Sequence, residues 1–175
     1  MLQVARQSLM EFLSTGRLPT WKTDNPVLLQ PRAVFVTLRN RHTGELRGCR
    51  GESVARRPLI EAVAYMSLAS ALDDPRFPPV TLEEAPELSF EINMLTPLRP
   101  IRPEEVEVGR HGLMIVKGYR RGLLLPEVPV HYGWDRETFL AALCRKAGLP
   151  DHAWRAPDAQ LFGFESQAWS DEDFD

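Results

Sequence analysis

The chain has 175 residues, 43% of them hydrophobic and 26% charged, with a net charge of −3, which suits one globular domain that buries over half of its unfolded surface without a disulfide or metal. No apolar run approaches the roughly 20 residues that span a bilayer, and the start, MLQVARQSLMEFLSTGR, lacks the apolar run and small-residue cleavage site of a secretory signal. The charge argues against a general nucleic-acid binder, which needs a large basic surface, so a cytoplasmic protein is expected.

In chain order, Leu2, Ala5, Leu9, Phe12 and Leu13 fall on one stripe, the spacing of an amphipathic helix that Gly16 stops and that should pack on a sheet. A connection punctuated by Pro19, Pro26 and Pro31 leads to AVFVTLRN, apolar and β-branched enough for a buried strand. RHTG reads as a turn, and ELRGCRG returns beside that strand as a hairpin, with Gly48 and Gly51 marking a bulge or strand exit where backbone comes close to something. RPLIEAVAYMSLASAL is apolar or small on nearly every side, the mark of a buried helix, and Pro58 fits its first turn. DDPRFPPVT is a rigid stop.

LSFEINML sets Leu88, Phe90, Ile92 and Met94 against Ser89, Glu91 and Asn93, a strand with one apolar and one polar face. HGLMIVKG and GLLLP, joined around Tyr119 to Arg121, form a second hairpin. DRETFLAALCRKAGLP carries a full set of helix signals: Asp135 as N-cap, an apolar stripe that includes Cys144, Arg145 and Lys146 at the negative end, and Gly148 as terminator. AQLFGFESQAW reads as one last strand. Residues 1–170 thus make a single domain, and 171–175 an acidic, solvated tail. Strands and helices do not alternate regularly, so the expected class is α+β with a mainly antiparallel sheet flanked by helices.

The marks VFVTL, LRGCRG, DPRFPPVT, LTPLRPI, GLLLPEVPV, YGWD and LCRKAGLP, in that order, resemble the AMMECR-type domain family, called AmmeMemoRadiSam system protein A in prokaryotes. The resemblance runs from the first helix to about Trp169. It implies an α+β domain of two lobes, the larger built from both chain ends, with the glycine-cysteine motif lining a cleft between them. It also implies association with a Memo-type protein and a radical S-adenosylmethionine enzyme, without an established activity for the family. Two positions depart from the family pattern: Arg50 stands where LRGCIG has an aliphatic residue, and His131 where many prokaryotic members carry an acid.

The chemistry converges on Cys49. Two cysteines without a CxxC pair or clustered histidines argue against a zinc site or disulfide framework, though they leave one bridge open. Cations and backbone N–H groups beside a thiol stabilise its thiolate, and four arginines fall within RGCRGESVARR: Arg47, Arg50, Arg56 and Arg57. Strand geometry turns Arg47 to the same face as Cys49 and Arg50 away. The bland reading is a small buried cysteine; the flanking glycines favour a site, because bare backbone leaves room for a ligand. Cys144, on the stripe of a capped helix, reads as core.

Covalent catalysis by Cys49 needs an acid-base partner. Glu91 is the nearest carboxylate by topology, against the alternative of a solvent-facing acid, and His131, beside Tyr132 and Trp134, is a second basic group. Arg47, Arg76 and the amides of Gly48 to Gly51 make an expected anion-binding set, although Arg76 could instead pair with Asp73 or Asp74 and pin its turn. The expectation is therefore binding or thiol-dependent processing of a small anionic substrate. The rival is a non-catalytic adaptor in which the motif is architectural. No cofactor is indicated by any motif.

Overall fold

In the computed structural model, which describes residues 1–171, these residues divide into two compact units, one formed by residues 1–95 together with 167–171, the other by Thr96–Ser166. Two four-stranded sheets carry five helices among the described residues, an α+β architecture.

The first unit opens with α1 (Leu2–Thr15), which Gly16 ends in the left-handed region (φ 72°), donating its N–H to the Phe12 carbonyl. A short α2 (Pro26–Leu29), capped by the Asn25 side chain, was not legible as a helix because it is a single turn. Then come β1 (Ala33–Asn40), β2 (Leu46–Glu52), α3 (Leu59–Leu72) and β3 (Leu88–Leu95). The expected strands AVFVTLRN and LSFEINML keep those bounds. Both β2 and β3 pair with β1 in antiparallel register.

One face of this sheet carries Val34, Val36, Leu38, Phe90 and Ile92 into a core closed by Ala5 and Leu9 of α1 and Leu59, Val63 and Met66 of α3. Each fully buried leucine here stabilises by about 2 kcal/mol. The two helices come close because their contact is built from small residues. Ser67, fully buried, donates to the Ala5 carbonyl at 2.8 Å, and buried Ser8 accepts the Trp21 indole N–H at 2.8 Å.

The second unit contains a two-residue β4 (Arg99–Pro100), the hairpin β5 (Gly112–Lys117) and β6 (Arg120–Leu124), the short α4 (Glu127–His131), α5 (Arg136–Lys146) and β7 (Gln160–Phe164). The hairpin turns on Gly118 and Tyr119 alone, so Arg120 and Arg121 are strand residues rather than turn. Asp135 caps α5 by accepting the Thr138 N–H at 2.8 Å, as its sequence signals require. Leu113, Ile115, Phe139, Leu140 and Leu143 form the core, with Cys144 fully buried among them.

AQLFGFESQAW is not one strand. It forms β7 and then β8 (Ser166–Ser170), and the two belong to different sheets, ordered β4-β7-β5-β6 and β2-β1-β3-β8. The break falls at Glu165, whose N–H donates to Thr96 Oγ1 at 2.8 Å while its carbonyl accepts the Thr96 N–H. Alternation cannot reveal such a change of sheet, because both halves keep a period of two. Asp171, read as the first tail residue, is instead anchored: it accepts the Phe90 N–H at 2.8 Å and pairs with Arg6. The rest of the expected tail, 172–175, lies outside the described residues.

Candidate active site

The LRGCRG segment is β2, the edge strand of the first sheet. Its partners explain its glycines. At Gly48 a Cβ would stand 2.0 Å from the Ser70 carbonyl oxygen of α3. The absent side chain therefore lets helix and strand approach. Ser70 completes that contact by accepting the Arg50 N–H at 2.9 Å and donating to the Val36 carbonyl at 2.7 Å. At Gly51 a Cβ would meet the Phe35 ring at 2.3 Å and the Val34 carbonyl at 2.7 Å. The space expected for a ligand at both glycines is filled by the protein itself.

The amides of the motif are likewise engaged. Cys49 donates its backbone N–H to Asp74 Oδ2 at 2.9 Å. Asp74, with a side chain only 3% exposed, also takes Arg76 through Nε at 2.9 Å and Nη2 at 2.7 Å. Hydrogen bonds from the Arg76 guanidinium, aided by the backbone N–H groups of Cys49 and Arg76, hold the Asp74 carboxyl well below the usual carboxylate range against the cost of burial. The anion at the Cys49 amide is thus the molecule's own, and Arg76 pins the turn as in the plainer of its two readings.

Arg47 also differs from expectation. The β1–β2 register slips so that Leu38 faces Gly48 and Arg39 faces Leu46, leaving Arg47 as the bulged residue without a cross-strand partner. Its Nε and Nη2 hold both oxygens of Glu84, and Nη2 also donates to the Pro78 carbonyl at 2.9 Å. The Arg47 charge is matched there, although its Nη1 is buried with no hydrogen-bond partner among the described residues.

The register places Cys49 and Glu91 as the two cross-strand neighbours of Thr37, so the three side chains form a row on the sheet face opposite the helices. Thr37 Oγ1 donates to Cys49 Sγ at 3.3 Å. Cys49 is a free thiol and half-buried, not sealed in the core. Glu91 lies two strands away, about 10 Å by strand spacing, and accepts the Asn93 amide at 2.9 Å. It does not touch the thiol. The same face continues into a hollow of about 290 Å³ whose lining includes Arg39, Ser89, Glu91 and Ala168. Arg39 donates only to the Gly44 carbonyl, at 3.3 Å, and has no carboxylate partner among the described residues.

Thr37 and Arg39 were not singled out from sequence. Their signal was the parity of β1, in which odd positions share a face with Cys49 once the hairpin is paired. The other groups stand apart from this row. Arg50 is exposed on the opposite parity, and His131 packs edge-on to Tyr132 at 4.8 Å in the second unit. Burial pushes the Cys144 thiol up. Among the described residues, no three His, Cys, Asp or Glu side chains converge as metal ligands, and no helix is long and apolar enough to cross a membrane.

The AMMECR1 family model matches residues 2–169. A protein of Thermococcus gammatolerans is 42% identical, the match covering 98% of this chain and 89% of that one. One of Pyrococcus horikoshii is 43% identical over 98% and 88% of the respective chains. The crystal structure of an uncharacterised protein from P. horikoshii superimposes with a TM-score of 0.84 at 42% identity, covering 98% of this chain and 89% of that one.

Proposed function

The chain belongs to the AMMECR1 family, and we propose that it works through the face of its first sheet, with Cys49 acting on a small anionic substrate. The observation that carries this reading is the row Cys49–Thr37–Glu91: a half-buried free thiol that receives a hydroxyl hydrogen bond, in register with a carboxylate and beside a hollow lined by Arg39, which has no carboxylate partner among the described residues. Cys49 is the nucleophile. Thr37 stabilises negative charge on sulfur by donating to it. Glu91 is too far to be the base of the thiol, so it serves as acid or base toward a substrate that lies across Thr37. Arg39 supplies the cation that Arg47 and Arg76 cannot, since both are committed to carboxylates.

Family resemblance supports placing this step in a cytoplasmic pathway shared with a Memo-type protein and a radical S-adenosylmethionine enzyme. The experiment is to incubate the protein with these two partners and a small-molecule extract, then look for a mass increase on Cys49. An adduct that is absent from Cys49→Ser supports the thiol reading. Full partner binding with no adduct on Cys49 supports the second reading, a non-catalytic adaptor. That alternative is favoured by one observation: Gly48 and Gly51 are filled by Ser70 and Phe35, as an architectural motif requires.

A further inference from the structure

The LTPLRPI motif plays no part in the Cys49 face, yet it supplies more than half of the residues lining a separate hollow of about 300 Å³ in the second unit. Two glycines shape its apolar floor. The Phe164 ring lies over Gly112, where a Cβ would come within 2.3 Å of ring atoms, and Ile101 lies against Gly163, where a Cβ would stand 2.9 Å from its Cδ1. Phe164 is buried, and Pro97 and Pro100 stiffen the segment that carries Ile101.

The rim is polar and cationic. Arg99 is exposed and has no carboxylate partner among the described residues. His111 accepts the Glu107 backbone N–H on Nδ1 at 3.0 Å, which leaves the ring proton on Nε2, and Nε2 has no protein partner among the described residues. The one acid on the lining, Glu165, is already matched by Arg110 Nε at 2.7 Å. An apolar floor beneath an unpaired guanidinium and a ring N–H is complementary to an amphipathic anion.

We propose that this hollow binds a small carboxylate with an aromatic or branched apolar body, the carboxylate held by Arg99 and His111 Nε2–H and the body resting on Phe164 and Ile101. The site stands independently of the Cys49 chemistry. The test is to titrate the full-length, nitrogen-15-labelled protein with phenylacetate and, separately, with acetate. Phenylacetate should shift the amides of Thr96, Ile101, Gly163 and Phe164 saturably, and acetate should bind about tenfold more weakly because it buries no ring. Arg99→Gln should weaken phenylacetate by about tenfold. His111→Asn, which keeps an acceptor for the Glu107 amide, should weaken binding while the spectrum of the free protein stays native. Absence of saturable shifts, equal binding of acetate and phenylacetate, or indifference to Arg99→Gln would each overturn the assignment.

Discussion

Asp74 Oδ2 accepts the backbone N–H of Cys49 at 2.9 Å, tying the turn after α3 to the open edge of the first sheet. An unpaired edge amide invites pairing with another chain. A buried carboxylate held by Arg76 closes it here. Because the Asp74 carboxyl sits below its unfolded value of about 4, its contribution to stability is complete above that pH and is lost as pH falls through the folded value. Wild type should therefore lose stability between about pH 5 and pH 2 more steeply than Asp74→Asn, which starts about 2 kcal/mol lower at neutral pH. Urea unfolding across that range measures both slopes; parallel slopes would show that the ion pair contributes nothing.

Gly48→Ala drives a methyl group into the Ser70 carbonyl, a backbone atom that cannot rotate away. Overpacking of this kind should cost about 3 kcal/mol, read as a lower urea midpoint. Alanine at Gly44, where nothing lies within 4 Å of the added carbon, meets no clash and costs only the strain of φ 73°. If Gly48→Ala were no worse than Gly44→Ala, the glycine would not be there for helix packing.

Arg47→Lys keeps the charge but loses the two-pronged grip on Glu84 and the bond to Pro78. With an Arg47 side chain only 15% exposed, the change should destabilise by about 1–2 kcal/mol. Combining it with Glu84→Gln should cost less than the sum of the single changes. Additive losses would show that the two side chains do not act as a pair.

How much of this was legible in the sequence differs between strands and site. The alternation of Phe90, Ile92 and Met94 and the β-branched run of β1 declared their strands, because burial of one face dictates the pattern. The same local reading sent Arg47 toward Cys49, since a bulge one residue before Gly48 is set by the pairing with Leu38 and Arg39, not by β2 alone. Gly48 was rightly marked as a point of close approach, yet what approaches is Ser70, more than twenty positions away. The Asp74–Arg76 pair, two residues apart, was within reach of the sequence, but the bond of Asp74 to the Cys49 amide and the place of Thr37 beside the thiol become visible only when the chain has folded back, because those partners are distant in sequence.

Thr37→Val removes the hydroxyl that donates to Cys49 Sγ while keeping the β-branched shape. Negative charge on sulfur then loses its hydrogen-bond donor, so alkylation of Cys49 should slow by about threefold at constant pH. Rates timed by peptide mass spectrometry check this. An unchanged rate would mean that the 3.3 Å contact does not assist the thiol.

The claim that Cys49 is the chemically available group of this fold is tested most directly by exposing the native protein to iodoacetamide and locating the label. Cys49, half-buried at the sheet face, should be modified in the native state, whereas Cys144, fully buried with its thiol pushed up, should resist until the protein unfolds. Equal protection of both cysteines, or faster labelling of Cys144, would contradict it.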